Sequence, residues 1–133
     1  MKKISILILL LSIVLSIYSC KKDSQNLTTT ITHLGNCIPN DNDAITEEDA
    51  AFSYHASTST LSINKFYNFY PCDSEIKILA EIKDNVIQIV EQVEQTKECT
   101  CPKDISYTIG NIPSGFYKIS INSKIVGEIL IYW

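Results

Sequence analysis

Glu75-Ile-Lys-Ile-Leu-Ala-Glu-Ile-Lys-Asp-Asn-Val-Ile-Gln-Ile-Val-Glu-Gln-Val-Glu94 decides the fold class. Ile76, Ile78, Ala80 and Ile82 alternate with Lys77, Leu79, Glu81 and Lys83, the period of two that a half-buried strand requires. Asp84-Asn85 follows, and both residue types tolerate the positive φ of a tight turn. Val86 to Val93 returns, which makes the stretch a hairpin. Glu, Gln and Lys are frequent here, so a helix competes for 75–95. The β-branched residues Val86, Ile87, Ile89, Val90 and Val93 favour strand.

The same period recurs on both sides. Leu61, Ile63, Lys65, Tyr67 and Phe69 alternate with Ser62, Asn64, Phe66, Asn68 and Tyr70. Ile105, Tyr107 and Ile109 alternate with Ser106 and Thr108, and Tyr117, Ile119 and Ile121 with Lys118, Ser120 and Asn122. Asn122-Ser123 turns the chain into a last strand over Ile125 to Trp133, in which Gly127 marks a bulge or a close approach. Short strands with turns at close spacing indicate a β-sandwich or barrel. One short helix is expected near residues 46–54. Thr46 can cap it, and Glu47, Glu48 and Asp49 suit its positive end.

The N-terminus has a different character. Met1-Lys2-Lys3 is basic, and Ile4 to Ile17 is apolar apart from serines. Ser19-Cys20 then precedes Lys21-Lys22-Asp23. Fourteen residues span about 21 Å as a helix, whereas a bilayer core of about 30 Å needs roughly 20 residues. The order matches a signal peptide over 1–19, helical over residues 4–18 and removed on export. Cys20 is then the lipid-attachment residue. The stretch Ser19-Cys20-Lys21-Lys22-Asp23-Ser24 resembles the lipoprotein signals of Bacteroidota. That resemblance implies a diacylglycerol on the Cys20 thiol, acylation of its amine, and residence in the cell envelope on the periplasmic or surface face of the outer membrane. The expected organisation is signal peptide 1–19, lipidated tether 20–33 and sandwich domain 34–133. Leu27 to Leu34 is threonine-rich and offers an edge strand as the alternative to a tether.

Loss of Lys2 and Lys3 leaves nine lysines against fifteen acids, a net charge of −6, and the chain has no arginine. An acidic chain without clustered cations is a poor nucleic-acid binder. Beyond Cys20 four cysteines remain: Cys37, Cys72, Cys99 and Cys101. An even number in an exported chain reads as disulfides. Cys99–Cys101 would close too tight a ring. Two pairings survive, and the reading leans to Cys72–Cys101 with Cys37–Cys99.

The stretch Ile112-Pro113-Ser114-Gly115-Phe116-Tyr117-Lys118-Ile119-Ser120-Ile121 resembles a pattern of immunoglobulin-like sandwiches in exported bacterial proteins. In these a Gly-x-Tyr-x-Ile run enters a late strand after a proline-glycine loop. Gly115, Tyr117 and Ile119 fill those positions. The implied fold is all-β and immunoglobulin-like, and the resemblance transfers no active site.

Chemistry is sparse. His33 and His55 with the four cysteines could supply zinc ligands, but Cys99-x-Cys101 is tighter than the usual gap and no second close pair exists. Asp41-x-Asp43 opens like a calcium loop, but Thr46 stands where glycine is needed and Phe52 where an acid is needed. No serine sits in a nucleophile elbow. Among Phe66, Tyr67, Phe69 and Tyr70 one face is core; core or inter-sheet packing is the favoured reading for the group, and Phe66 and Tyr70 are the candidates for an exposed binding platform as its alternative. The expectation is a non-catalytic binding or interaction module on a membrane anchor. No cofactor and no metal are expected, and the partner would be a protein or glycan. Two alternatives stand beside it. One is an inhibitor or immunity-type protein whose loops, 110–115 or 35–45, block a secreted enzyme. The other is a small metal-binding protein or enzyme using the cysteine–histidine set.

Overall fold

The computed structural model describes residues 24–38, 50–95 and 98–132, apart from the side chain of Tyr67. Among the described residues nine strands build two sheets: β1 Gln25–Asn26, β2 Thr28–Leu34, β3 Ala50–His55, β4 Thr60–Pro71, β5 Glu75–Lys83, β6 Val86–Glu94, β7 Thr100–Gly110, β8 Gly115–Ile121 and β9 Lys124–Ile131. One sheet has the order β1-β5-β6-β8-β9 and the other β2-β7-β4-β3. The described residues contain no helix. The all-β sandwich expected from the alternating pattern is present.

The alternation sets which side chains face inward. Ile76, Ile78 and Ala80 on β5, with Ile87 and Ile89 on β6, meet Leu61, Ile63, Ile105, Tyr107 and Ile109 from the opposite sheet. Tyr70, Ile112, Tyr117, Ile119, Ile121 and Ile131 complete the core. Burying one such side chain is worth about 1.5–3 kcal/mol. The β5–β6 hairpin closes through Asp84 (φ 52°) and Asn85 (φ 62°), with Lys83 opposite Val86. The β8–β9 hairpin uses the same device at Asn122 (φ 48°) and Ser123 (φ 70°). Both loops have two residues at positive φ, which matches the twist of the flanking strands. All the strand pairs are antiparallel except β6 with β8. Gly127 combines both roles expected of it: the β8–β9 register shifts beside it, and a Cβ there would collide with the Phe52 ring of β3.

Three expectations are corrected. Ala50 to Tyr54 is strand, not helix; residues 46–49 of that segment lie outside the described residues. Ala50, Phe52 and Tyr54 turn half-buried toward the core while Ala51, Ser53 and His55 face out, and the whole segment pairs with β4. Tertiary pairing outweighs a capping signal at its start. The tether does not extend to residue 33: β1 pairs with β5 and β2 with β7, so the sandwich includes Gln25 to Leu34, the edge-strand alternative. The signal peptide 1–19, with its expected helix over 4–18, and Cys20 lie outside the described residues.

The third correction concerns the cysteines. The disulfides are Cys37–Cys101 and Cys72–Cys99. Strand register explains the choice. Pro71 pairs with Thr100, and continuing that antiparallel ladder places Cys72 opposite Cys99, with Cys72 N donating to Cys99 O at 2.9 Å. On the other side of β7, Ile38 N donates to Pro102 O at 2.9 Å and carries Cys37 beside Cys101.

Candidate functional site

Period two forces two charged side chains between the sheets. On β4 the inward positions run Leu61, Ile63, Lys65; on β6 they run Ile87, Ile89, Glu91. The Lys65 ammonium lies 2.8 Å from Glu91 Oε2, with the two side chains 11% and 2% exposed. A charge so buried persists only when paired and hydrogen-bonded.

A β-bulge supplies more of the hydrogen bonds. Between Lys65↔Ile105 and Asn68↔Lys103, β4 spends two residues, Phe66 and Tyr67, against the single Asp104 of β7. The extra residue reverses the facing of everything after it, so Asn68 and Tyr70 turn inward while Phe69 turns out. The Tyr70 hydroxyl donates to Glu91 Oε2 at 3.0 Å and accepts from Lys65 Nζ at 3.1 Å. Tyr107 on β7 donates to Glu91 Oε1 at 3.2 Å. Asn122, in the β8–β9 turn, donates from Nδ2 to Glu91 Oε2 at 3.2 Å and accepts the Glu91 backbone N–H at 2.9 Å. Burial pushes the Tyr107 phenol far above its ordinary value, and the charge and hydrogen bond of Glu91 add to the shift. Tyr107 therefore stays protonated and serves as a donor.

Above this network the sandwich opens into a cleft of about 490 Å³, bounded by the ends of β4 and β6 and the β8–β9 hairpin. The size falls in the range of about 300–1,000 Å³ used for small ligands. Its floor is Lys65, Tyr70 and Glu91; Phe69, Pro71 and Val126 contribute apolar wall, and Asn122 and Lys124 polar rim. The Glu91 carboxylate already receives bonds from Lys65, Tyr70, Tyr107 and Asn122, and the Lys65 protons are directed to Tyr70 and both Glu91 oxygens. Such a floor has little capacity left to exchange protons, but it is rigid.

The sequence-derived candidates are only partly assembled here. Tyr70 is buried, 5% exposed, and belongs to the floor; Phe66 is 45% exposed and stands apart from it. Tyr70 thus follows the core-packing reading, and the alternative Phe66–Tyr70 platform is not formed, because the bulge puts the two residues on opposite faces. Phe69, 61% exposed, is a second aromatic residue lining the cleft. Lys65 and Glu91 were missed, although the signal was present: each continues an apolar period-two face with a charge. Cys37, Cys72 and Cys101 gather with their sulfurs within 4.8 Å of one another, and no histidine joins them among the described residues. His55 instead lies 3.4 Å from Ser53 Oγ at the surface. Asp41 and Asp43 lie outside the described residues. Comparisons with protein-family models, with characterised proteins and with solved structures each find no match to the chain.

Proposed function

We propose that this chain is a lipid-anchored protein of the bacterial cell envelope, in which an immunoglobulin-like sandwich serves as a non-catalytic binding module. The observation that carries the binding reading is the 490 Å³ cleft over a fully hydrogen-bonded, buried Lys65–Glu91 floor. A floor of that kind holds its walls in place without offering a nucleophile or a base. Phe69, Asn122 and Lys124 all line the cleft, which so offers an aromatic side chain together with amide and ammonium donors. That combination suits a sugar, whose ring has an apolar face and a hydroxyl rim, better than a flat protein surface. A glycan is accordingly the preferred partner. The Cys20 anchor rests on the signal-like N-terminus, and the two disulfides agree with an oxidising compartment.

The test is a screen of envelope polysaccharide fragments by calorimetry against the wild type, Phe69→Ala and Lys124→Ala. Phe69 and Lys124 stand at the cleft outside the buried floor, so their loss should lower affinity about tenfold, equivalent to about 1.4 kcal/mol, at unchanged melting temperature. Equal binding by all three proteins refutes the cleft as the site. The anchor is tested separately by fractionating Cys20→Ala in detergent: the variant should leave the membrane fraction, and its retention there overturns the lipid assignment.

A further inference from the structure

The four cysteines come from three places in the fold: Cys37 after β2, Cys72 after β4, and Cys99 and Cys101 at the start of β7. Chain spacing alone gives no metal motif, yet the sheet register brings the sulfurs together. Cys37, Cys72 and Cys101 lie with their Sγ atoms within 4.8 Å of one another, and Cys99 is bonded to Cys72. Four thiolates around Zn²⁺ at about 2.3 Å stand about 3.8 Å apart; three of the sulfurs already lie close to or inside that spacing, and the fourth, Cys99, is carried by the strand paired to Cys72.

The backbone of this cluster is held independently of the disulfides. Cys72 N donates to Cys99 O at 2.9 Å, Ile38 N to Pro102 O at 2.9 Å and Gly35 N to Asp104 O at 2.8 Å. Breaking both S–S bonds leaves those strand contacts available to keep the thiols together. Lys103 is 5% exposed, and its ammonium donates to the Cys72 carbonyl at 2.8 Å. Cys37 and Cys99 are exposed, so a reductant and a metal ion can reach the cluster.

We propose that the cysteine cluster is a two-state centre: two disulfides when oxidised, and one tetrahedral tetrathiolate Zn²⁺ site when reduced. An external dithiol is the reductant. Two dithiol molecules deliver four electrons and four protons to Cys37–Cys101 and Cys72–Cys99 and leave as cyclic disulfides. The four thiols formed then bind Zn²⁺ and release four protons. Pro71 lines the cleft and directly precedes Cys72, so the state of the centre bears on one wall of the binding site.

The experiment uses the full chain carrying Cys20→Ser, so that the clustered thiols are the only ones. The protein is reduced anaerobically with excess dithiol, desalted and titrated with Co²⁺ alone and then Zn²⁺ alone. One equivalent of Co²⁺ should give tetrahedral tetrathiolate absorption, Zn²⁺ should displace it, and thiol reactivity should fall on metal binding. Adding Cys37→Ser should lower the affinity at least by the roughly 100-fold that loss of an outer-shell partner costs. The oxidised protein should give no such spectrum. Near-ultraviolet circular dichroism follows folding: if the reduced chain loses its fold, Zn²⁺ should restore it. Absence of metal binding by the reduced chain, an octahedral cobalt spectrum, or equal Zn²⁺ uptake by oxidised and reduced protein overturns the proposal.

Discussion

Lys65 and Glu91 show how a single charge behaves inside a sandwich. Each ion alone would be costly to bury, and removing one partner of such a pair typically destabilises by about 3–5 kcal/mol. Lys65→Met and Glu91→Leu should each fall in that range in urea denaturation. The double variant should recover most of the loss, because no uncompensated charge remains. Tyr107 adds a pH dependence. Its phenol ionises at 10.0 when unperturbed and well above that in the fold, so the native state favours the protonated form. The resulting stability is fully present below about pH 10 and is lost as pH rises further, since the unfolded chain ionises first. Tyr107→Phe should cost about 1 kcal/mol at neutral pH and should flatten the alkaline decline measured by denaturant titrations between neutral pH and pH 11.

Elements differ in how openly the sequence announces them. The β5–β6 and β8–β9 hairpins were legible because their turn residues, Asp84-Asn85 and Asn122-Ser123, are chosen for positive φ, a local property. The β4 bulge was not, because nothing in Phe66-Tyr67 encodes an extra residue; the partner strand β7 decides it. That one bulge explains why Phe66 and Tyr70, four residues apart, do not share a face, and why the cleft floor is not legible in the sequence. Ala50 to Tyr54 is strand against its helix-like start for the related reason that pairing with β4 outweighs local capping. Gly127 lies between these cases, since its smallness was visible but its neighbour was not. Gly127→Ala should destabilise by about 1–3 kcal/mol through overpacking against Phe52. Phe52→Leu in the same chain should return part of that loss, and a double-mutant cycle on unfolding free energies measures the coupling.

At the scale of the whole molecule, the strand order brings cysteines distant in sequence together. The sequence could reduce the pairings to two but could not choose, because the choice follows from β7 having β4 on one side and β2 on the other. The consequences for stability can be estimated from loop closure. Cys37–Cys101 spans 64 residues and Cys72–Cys99 spans 27. On the chain-entropy account the first contributes about 4 kcal/mol and the second about 3.5 kcal/mol. The smaller loop is nested inside the larger, so the joint effect is less than additive. Small domains have only about 5–15 kcal/mol in total. Replacing Cys37 and Cys101 by serine should therefore lower the thermal midpoint more than replacing Cys72 and Cys99, and removal of both pairs should leave the metal-free chain near its unfolding midpoint at 37 °C. Calorimetry of the three variants checks the order. A larger loss for the Cys72–Cys99 pair would show that native contacts around Pro71 and Lys103, rather than loop length, set the contribution of these bonds.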